Sequence, residues 1–368
     1  MEKIINPNFI SSTIMWIVCP IAGPGKRLQP FTFSKPKAFI KIAGKRLLNH
    51  IMDRLMQSFP RGQRIVFIVG HKKKQISEYL VNNFSNYFNI YFIEQESIGH
   101  SEDVPMFAGL GQAVYLAHKL VQNDDMFVIL ADQVPLGDYS QILDKFYNAP
   151  AGVSGVINVQ KVKNPEYYGV VRVGEKNNIK CLVEKPPNFI SDLAILGSYV
   201  FNAETTAKIF DKLAKITEQP LEDGAEYSFT DAIQKVVRDG TLIEANVTTT
   251  EILDFDHRET LLDGNRRLLE ISSYDAGDSG TQIEESAIIQ PVYIGKNVKI
   301  KRSKIGPYCS IGDNVTLEEC VLSDAVIGDG TELRRVISQE SIIGDFVTMN
   351  NLIKDNLMIG DNSTIAQV

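Results

Sequence analysis

The chain has no apolar run approaching the ~20 residues that a bilayer span requires. Its first residues, Met1 to Thr13, mix Lys, Asn, Pro and Ser and lack the apolar core of a secretory leader. Cysteine is scarce: Cys19, Cys181, Cys309 and Cys320 stand far apart with no C-x-x-C pair. Buried free thiols in a reducing cytoplasm are therefore the expectation, rather than a disulfide framework. Positive charge is not in excess either. A formal net charge of −7 argues against a nucleic-acid partner, which needs a basic face, but local Lys and Arg can still hold a small anion. The histidines, His50, His71, His100, His118 and His257, share no metal-ligand spacing. Only His257, close to Asp254, has a position from which it could touch a substrate.

What is present is an ordinary folded composition, 368 residues with 44% hydrophobic and 23% charged, enough for two or three domains. From Ile289 onward one phrase recurs, an aliphatic residue followed by Gly: Ile294-Gly295, Ile305-Gly306, Ile311-Gly312, Ile327-Gly328, Ile343-Gly344 and Ile359-Gly360. The last four copies are 16 residues apart and each continues with Asp. A fixed period with an inward aliphatic and a turn glycine predicts a parallel β-helix of hexapeptide-like rungs. Before it, apolar strand-like runs (Ile14 to Cys19, Ile65 to Val69, Ile90 to Ile93, Met126 to Ala131) alternate with helical spacings (Leu47 to Phe59, Ile76 to Phe84, Leu110 to Val121). That alternation predicts βαβ units in an α/β sheet buried on both faces. Between Val153 and Val200 strands come without long helices, which predicts an antiparallel extension. Helices return at Thr230 to Val237 and Thr260 to Leu269. The stretch Ser272 to Thr281, rich in Ser, Gly and Asp, reads as a linker. The expected division is residues 1–270, a linker at 271–283, and the repeat domain at 284–368.

Directly after the first strand comes Pro20-Ile21-Ala22-Gly23-Pro24-Gly25-Lys26-Arg27-Leu28. Glycines there let backbone N–H groups approach phosphate oxygens, and Lys26 and Arg27 add charge, although a plain turn is the competing reading. It is neither a dinucleotide G-x-G-x-x-G, which needs Gly in place of Leu28, nor a Walker A loop, which needs Gly in place of Pro20 and Ser or Thr in place of Arg27. Pro36-Lys37 follows, then Gly44-Lys45. Further on come Gly109-Leu110-Gly111-Gln112-Ala113, Ala131-Asp132, Tyr168-Gly169-Val170-Val171, Glu184-Lys185-Pro186, Glu226-Tyr227 with Thr230-Asp231, and Asp254 with Glu259, Leu262 and Asn265. In this order, from about Ile17 to Leu269, the motifs resemble the sugar-1-phosphate nucleotidylyltransferases, in the glucose-1-phosphate thymidylyl- and uridylyltransferase style. Long members of that family carry a β-helix tail.

The resemblance implies a Rossmann-like mixed sheet followed by a left-handed β-helix. It also implies Mg²⁺-dependent transfer of a nucleotidyl group from an NTP, dTTP or UTP favoured, to a sugar 1-phosphate with loss of pyrophosphate. The nucleophile is already an anionic phosphate, so positioning and charge neutralisation carry the reaction rather than a strong base. Arg27 is expected to grip the triphosphate, Lys37 to bridge toward the α-phosphate, and Lys185 to hold the sugar phosphate. Ala22, Gly23, Gly25, Gln95 and Gly109 are the nucleotide-binding candidates, Gly109 also serving as a possible helix cap. Tyr168, Gly169, Glu184 and Glu226 are the sugar-side candidates. Asp132 and Asp254 are the expected Mg²⁺ ligands, with Asp256 a rival to Asp254 and a turn or cap role the alternative for each. The departures from the family pattern are Ala22, Pro24, Lys26, Gln133, an insertion at Glu96 to Met106, and a closing motif without its Gly-Thr-Pro. A non-catalytic relative that binds nucleotide sugar and assembles with an active partner is the alternative function. Because no histidine follows His257, acyl transfer in the β-helix is not expected. The flat side of stacked rungs is expected to mediate homo-oligomer assembly.

Overall fold

The computed structural model describes residues 15–101, 104–222, 224–272 and 280–366. Most of the expected linker and the segment Met1 to Thr13 lie outside the described residues. The chain forms two compact units, each discontinuous in sequence. One comprises Met1–Ala22, Leu55–Leu130 and Gly137–Glu251; the other comprises Gly23–Arg54, Ala131–Leu136 and Ile252–Val368.

The first unit is built on a nine-stranded mixed sheet. Met15–Pro20 lies between Arg64–Val69 and Asp125–Ile129, parallel to both, and Asn89–Glu94 extends the parallel side beyond Arg64–Val69. Leu193–Phe201 then pairs antiparallel with Asp125–Ile129 and Val153–Lys161, and Gly169–Val173 with Ile179–Glu184 completes the expected antiparallel extension. Alternate residues face opposite sides of each strand. Trp16, Val18, Val66, Ile68, Met126 and Val128 pack against Val114, Ala117 and Val121 and against the helices Ala203–Thr217 and Phe229–Arg238. On the other side, Phe127 meets Phe59 and Tyr139, with ring centroids 5.4 and 5.3 Å apart. Helix Phe229–Arg238 buries Phe229, Ala232, Ile233 and Val236, one stripe at helical spacing, and the Ser228 hydroxyl accepts the Asp231 N–H at its start. The expected helix at Leu110 to Val121 breaks at Ala117 into Leu110–Leu116 and His118–Val121. The insertion contributes a short antiparallel ribbon, Gly99–Ser101 with Val104–Met106.

The second unit contains the β-helix, whose strands stack in three parallel columns. Three corners per coil adopt the left-handed backbone, for example Asn314, Glu319 and Asp324, then Gly330, Arg335 and Glu340. Ile300, Ile305, Ile311, Leu317, Leu322, Ile327, Leu333 and Ile343 fill its interior. The repeated glycine has a steric cause. A Cβ on Gly312 would stand 2.5 Å from the Asp329 carboxylate one coil on. Those aspartates form a ladder in which each Oδ1 accepts the backbone N–H of the preceding coil. Asp313 accepts from Lys296, Asp329 from Asp313, Asp345 from Asp329 and Asp361 from Asp345, at 2.8–2.9 Å. Val336 and Leu352 point into the coil, whereas Val321, Ile337 and Ile353 are exposed and in register on one side. Among the described residues no helix is long and apolar enough to cross a membrane.

Candidate active site

The second unit gathers the charged residues expected to handle the triphosphate. Gly25 takes φ +67° and is followed by a single 3₁₀ turn, Lys26–Leu28. A Cβ on Gly25 would meet Thr32 Cγ2 at 3.0 Å and Lys37 Cβ at 3.1 Å, so glycine is what lets the loop fold back on the lysine. No atom lies within 4 Å of a Cβ placed on Gly23, so that glycine answers to no contact of the described residues. Gln133–Pro135 and Ile252–Asp254 form an antiparallel ribbon with Gln133 opposite Asp254, and the Asp132 carbonyl accepts the Phe255 N–H at 3.0 Å. Phe255 is fully buried against Gly264. Asp254, the last residue of that strand, and Asp256, in the bend after it, both bear electrostatically on Lys37.

Lys37 Nζ lies 2.9 Å from Asp132 Oδ2 and 3.3 Å from Asp256 Oδ1, and Arg27 forms an ion pair with Asp256. Burial works against the charge on Lys37, but Asp132, Asp256 and Asp254 together outweigh it and raise its pKa above the usual lysine value. Burial likewise pushes the Asp256 carboxyl up, and Lys37 and Arg27 more than reverse that, holding it below the usual range. Lys37 and Asp256 therefore both stay charged at neutral pH. His257 begins the helix Arg258–Ile271, where its N–H donates to Thr260 Oγ1 at 3.2 Å.

The first unit carries the remaining candidates in two groups. Gln95, nearly fully buried, donates from Nε2 to the Gly109 carbonyl (3.2 Å) and to Gln112 Oε1 (2.8 Å). Gly109, at φ +93°, is the N-cap of the helix Leu110–Leu116, and a Cβ there would stand 2.7 Å from Glu226 Cβ. Tyr227 locks this turn in place: its N–H donates to the Ala108 carbonyl at 2.8 Å, and its own carbonyl accepts the Gly111 N–H at 2.7 Å. Ala22 is buried, and its carbonyl accepts the His71 N–H at 3.0 Å. In the second group Gly169 stands opposite Glu184, and the Lys185 N–H donates to the Tyr168 carbonyl at 3.0 Å. Glu184 Oε2 accepts from Thr230 Oγ1 at 2.7 Å. Burial, and then the nearby Glu184 charge, push the Tyr199 hydroxyl far above its usual pKa, so it stays neutral. Lys185 is exposed, with a left-handed backbone (φ +41°) unusual for a non-glycine. The structure therefore unites Arg27, Lys37, Asp132, Asp254 and Asp256 in one unit. It joins Gln95, Gly109 and Glu226, and separately Tyr168, Gly169, Glu184 and Thr230, in the other.

Three residues hold the loop: Asn265, which the sequence placed in the closing motif without this role, and Lys35 and Lys41, which sequence reasoning missed. Asn265 Oδ1 accepts from the Ala43 N–H (3.1 Å) and the Ser310 hydroxyl (2.6 Å), while its Nδ2 donates to the Tyr308 carbonyl (3.0 Å). Lys35 pairs with Asp345 and Asp361, and Lys41 with Asp313 and Asp329. Four carboxylates stacked at the ~4.8 Å strand spacing repel by about 3 kcal/mol per neighbouring pair at an effective dielectric near 20. The lysines offset that repulsion as counter-charges. The only signal in the sequence is the even recurrence of I-G-D opposite a Lys-rich stretch.

The nucleotidyl transferase family model matches residues 21–267. Among curated relatives, the low-salt glycan biosynthesis nucleotidyltransferase Agl11 of Haloferax volcanii is 29% identical over 83% of this chain and 85% of its own length. The glucose-1-phosphate thymidylyltransferase of Streptomyces antibioticus is 26% identical over 79% of this chain and 81% of its own. The bifunctional protein GlmU of Methanocaldococcus jannaschii is 35% identical over 61% of this chain, which spans 46% of that protein. A solved UDP-glucose pyrophosphorylase complexed with UDP-glucose superposes with a TM-score of 0.59 at 21% identity, covering 71% of this chain and all of that one.

Proposed function

The chain belongs to the nucleotidyl transferase family, and from that premise we propose that it joins a sugar 1-phosphate to the α-phosphate of an NTP, releasing pyrophosphate. The observation that carries the reading is the meeting of Lys37 with Asp132 and Asp256, beside Asp254. An ammonium held among carboxylates is poised to exchange them for phosphate oxygens when substrate arrives. Lys37 would neutralise the α-phosphate, where charge builds during the displacement, and Arg27, two-thirds exposed, would exchange Asp256 for the outer phosphates. Lys185 would pair with the sugar phosphate. Glu184, already oriented by Thr230, would accept from sugar hydroxyls beside Tyr168 and Gly169. Gln95, Gly109 and Ala22 would line the base side, with Gly23 and Gly25 at the phosphates and Glu226 packed behind Gly109.

The donor set fits Mg²⁺. No group of three or more His, Cys, Asp or Glu forms a ready-made cage among the described residues. Mg²⁺, however, is characteristically held by one or two carboxylates together with substrate phosphates. Asp132 and Asp254 supply those oxygens, and Gln133 next to them leaves a buried Oε1 without a hydrogen-bond partner. When bound, the ion would neutralise phosphate charge and orient the triphosphate. The dTTP preference follows the thymidylyltransferase relative, and UTP follows the motif resemblance.

The test is a panel of dTTP, UTP, GTP, CTP and ATP against several sugar 1-phosphates with Mg²⁺. Pyrophosphate release by at least one pair is expected. Silence across the panel would favour the binding-only relative. We further propose residues 1–270 as the catalytic domain, 271–283 as the linker and 284–368 as the assembly domain, acting in the cytoplasm. Homo-oligomer packing is assigned to the exposed Val321, Ile337 and Ile353 stripe. Removing the chain after Thr281 should lower the particle mass in light scattering to that of one subunit. An unchanged subunit number would count against this role.

A further inference from the structure

We propose that the β-helix positions the phosphate-handling lysine, its aspartate ladder acting as a clamp on the segment that carries Lys37. The inference rests on the function proposed above. Lys35 bridges the last two described rungs of the ladder, Asp345 and Asp361, with Asp361 Oδ1 at 3.1 Å, and the Ser34 hydroxyl also meets Asp361. Lys41 bridges the preceding two, Asp329 at 2.7 Å and Asp313 at 3.4 Å. Four consecutive coils are therefore held by two lysines that flank Lys37 on either side in sequence. The same segment is pinned at further points: a Cβ on Gly360 would stand 3.0 Å from Pro30, Gly44 lies against the Tyr293 ring, and Asn265 ties Ala43 to Tyr308 and Ser310.

The division of labour follows from the two carboxylate oxygens. Oδ1 of each ladder aspartate accepts the backbone N–H of the preceding coil, and the lysines take Oδ2 of Asp345, Asp313 and Asp329, sharing Oδ1 with the backbone at Asp361 (3.1 Å) and Asp329 (2.9 Å). The coil thus keeps its own hydrogen bonds whether or not the clamp is engaged. Lys35 is mostly buried, with its side chain 17% exposed, so solvent screens this arm less than an ordinary surface pair. Lys37, two residues on, is held by Asp132 and Asp256. The segment is fixed at Lys35, Lys37 and Lys41, and the middle lysine needs no ordering when a triphosphate arrives.

The test uses the full chain with Asp345→Asn and Asp361→Asn together. An asparagine still accepts the N–H of the coil before it but loses the charge that holds Lys35. Backbone amides of Phe39 and Ile40, which donate to Pro36 and Lys37 carbonyls, are expected to exchange at least about tenfold faster in the double variant. Pyrophosphate release should lose about 10- to 100-fold in kcat, the scale on which a misplacement near 1 Å acts, while KM for the sugar 1-phosphate moves less than threefold. Lys35→Met should reproduce both effects, and Lys35→Arg should restore them. Unchanged exchange in the double variant overturns the clamp. Faster exchange with parental kcat overturns the positioning role. If the parent itself turns over no substrate pair, the proposed function fails, and the exchange arm alone decides the clamp.

Discussion

Asp256 stands where the family pattern carries glycine, and it occupies both cations expected to receive a triphosphate. Asp256→Asn keeps the side-chain volume and removes the charge. Two unit charges about 4 Å apart interact by ~4 kcal/mol at an effective dielectric near 20. The Lys37–Asp256 pair, at 3.3 Å, has a side chain 34% exposed on the aspartate, so solvent discounts it, and the Arg27 arm is 66% exposed. About 1–2 kcal/mol of competition remains, which corresponds to roughly 5- to 30-fold tighter NTP binding once the carboxylate is neutralised. The assay is isothermal titration of Mg²⁺–NTP into the parent and the variant without sugar phosphate. Unchanged affinity would refute the competition. Weaker binding with a raised Mg²⁺ requirement would make Asp256, rather than Asp254, the second metal ligand.

Lys37→Met should cost about 10²-fold or more in kcat/KM, by analogy with removing one preorganised electrostatic group, and the protein should still melt cooperatively; near-parental turnover would remove Lys37 from the site. His50 is buried, with Nε2 2.9 Å from the Ile42 carbonyl, and burial lowers its pKa to about 4. Its folded pKa lies below the unfolded value, so the neutral ring's contribution is fully present above about pH 6.5 and is lost as pH falls toward 4. The size is about 3 kcal/mol, and His50→Gln should flatten chemical-denaturation stability across that window; an identical pH slope would contradict the burial argument. Ser228→Ala removes the cap of the helix that carries Thr230 and should destabilise by about 1 kcal/mol in urea denaturation. No change would mean that the Asp231 N–H finds another acceptor.

Much of the fold is legible in the sequence because its signals are local and repeated. The 16-residue return of I-G-D reports a steric demand, since each glycine makes room for the next aspartate. The inner parallel strands, Met15–Pro20, Arg64–Val69 and Asp125–Ile129, read as apolar runs because both of their faces are covered, whereas the edge strand Asn89–Glu94 is partly exposed and corrects the expectation of burial on both faces there. Helix ends are less visible. Nothing in the apolar spacing from Leu110 to Val121 marks the break at Ala117. In the candidate site, Lys37, Asp132 and Asp254 stand out through the order of their motifs, and they lie in one unit. Lys35 and Lys41 do not stand out, because their partners lie some 300 residues downstream and an isolated lysine in sequence is indistinguishable from a solvated one. The same holds for the motif Glu226-Tyr227 with Thr230. Its threonine reaches Glu184 while its glutamate packs against Gly109, a split that only the capped helix start reveals.

The most direct test of the central claim is Mn²⁺ binding followed by electron paramagnetic resonance, with the preferred NTP present, in the parent and in an Asp132→Asn, Asp254→Asn variant. The account predicts one tightly held ion in the ternary complex of the parent and its loss in the variant. Equal Mn²⁺ occupancy in both proteins would contradict it.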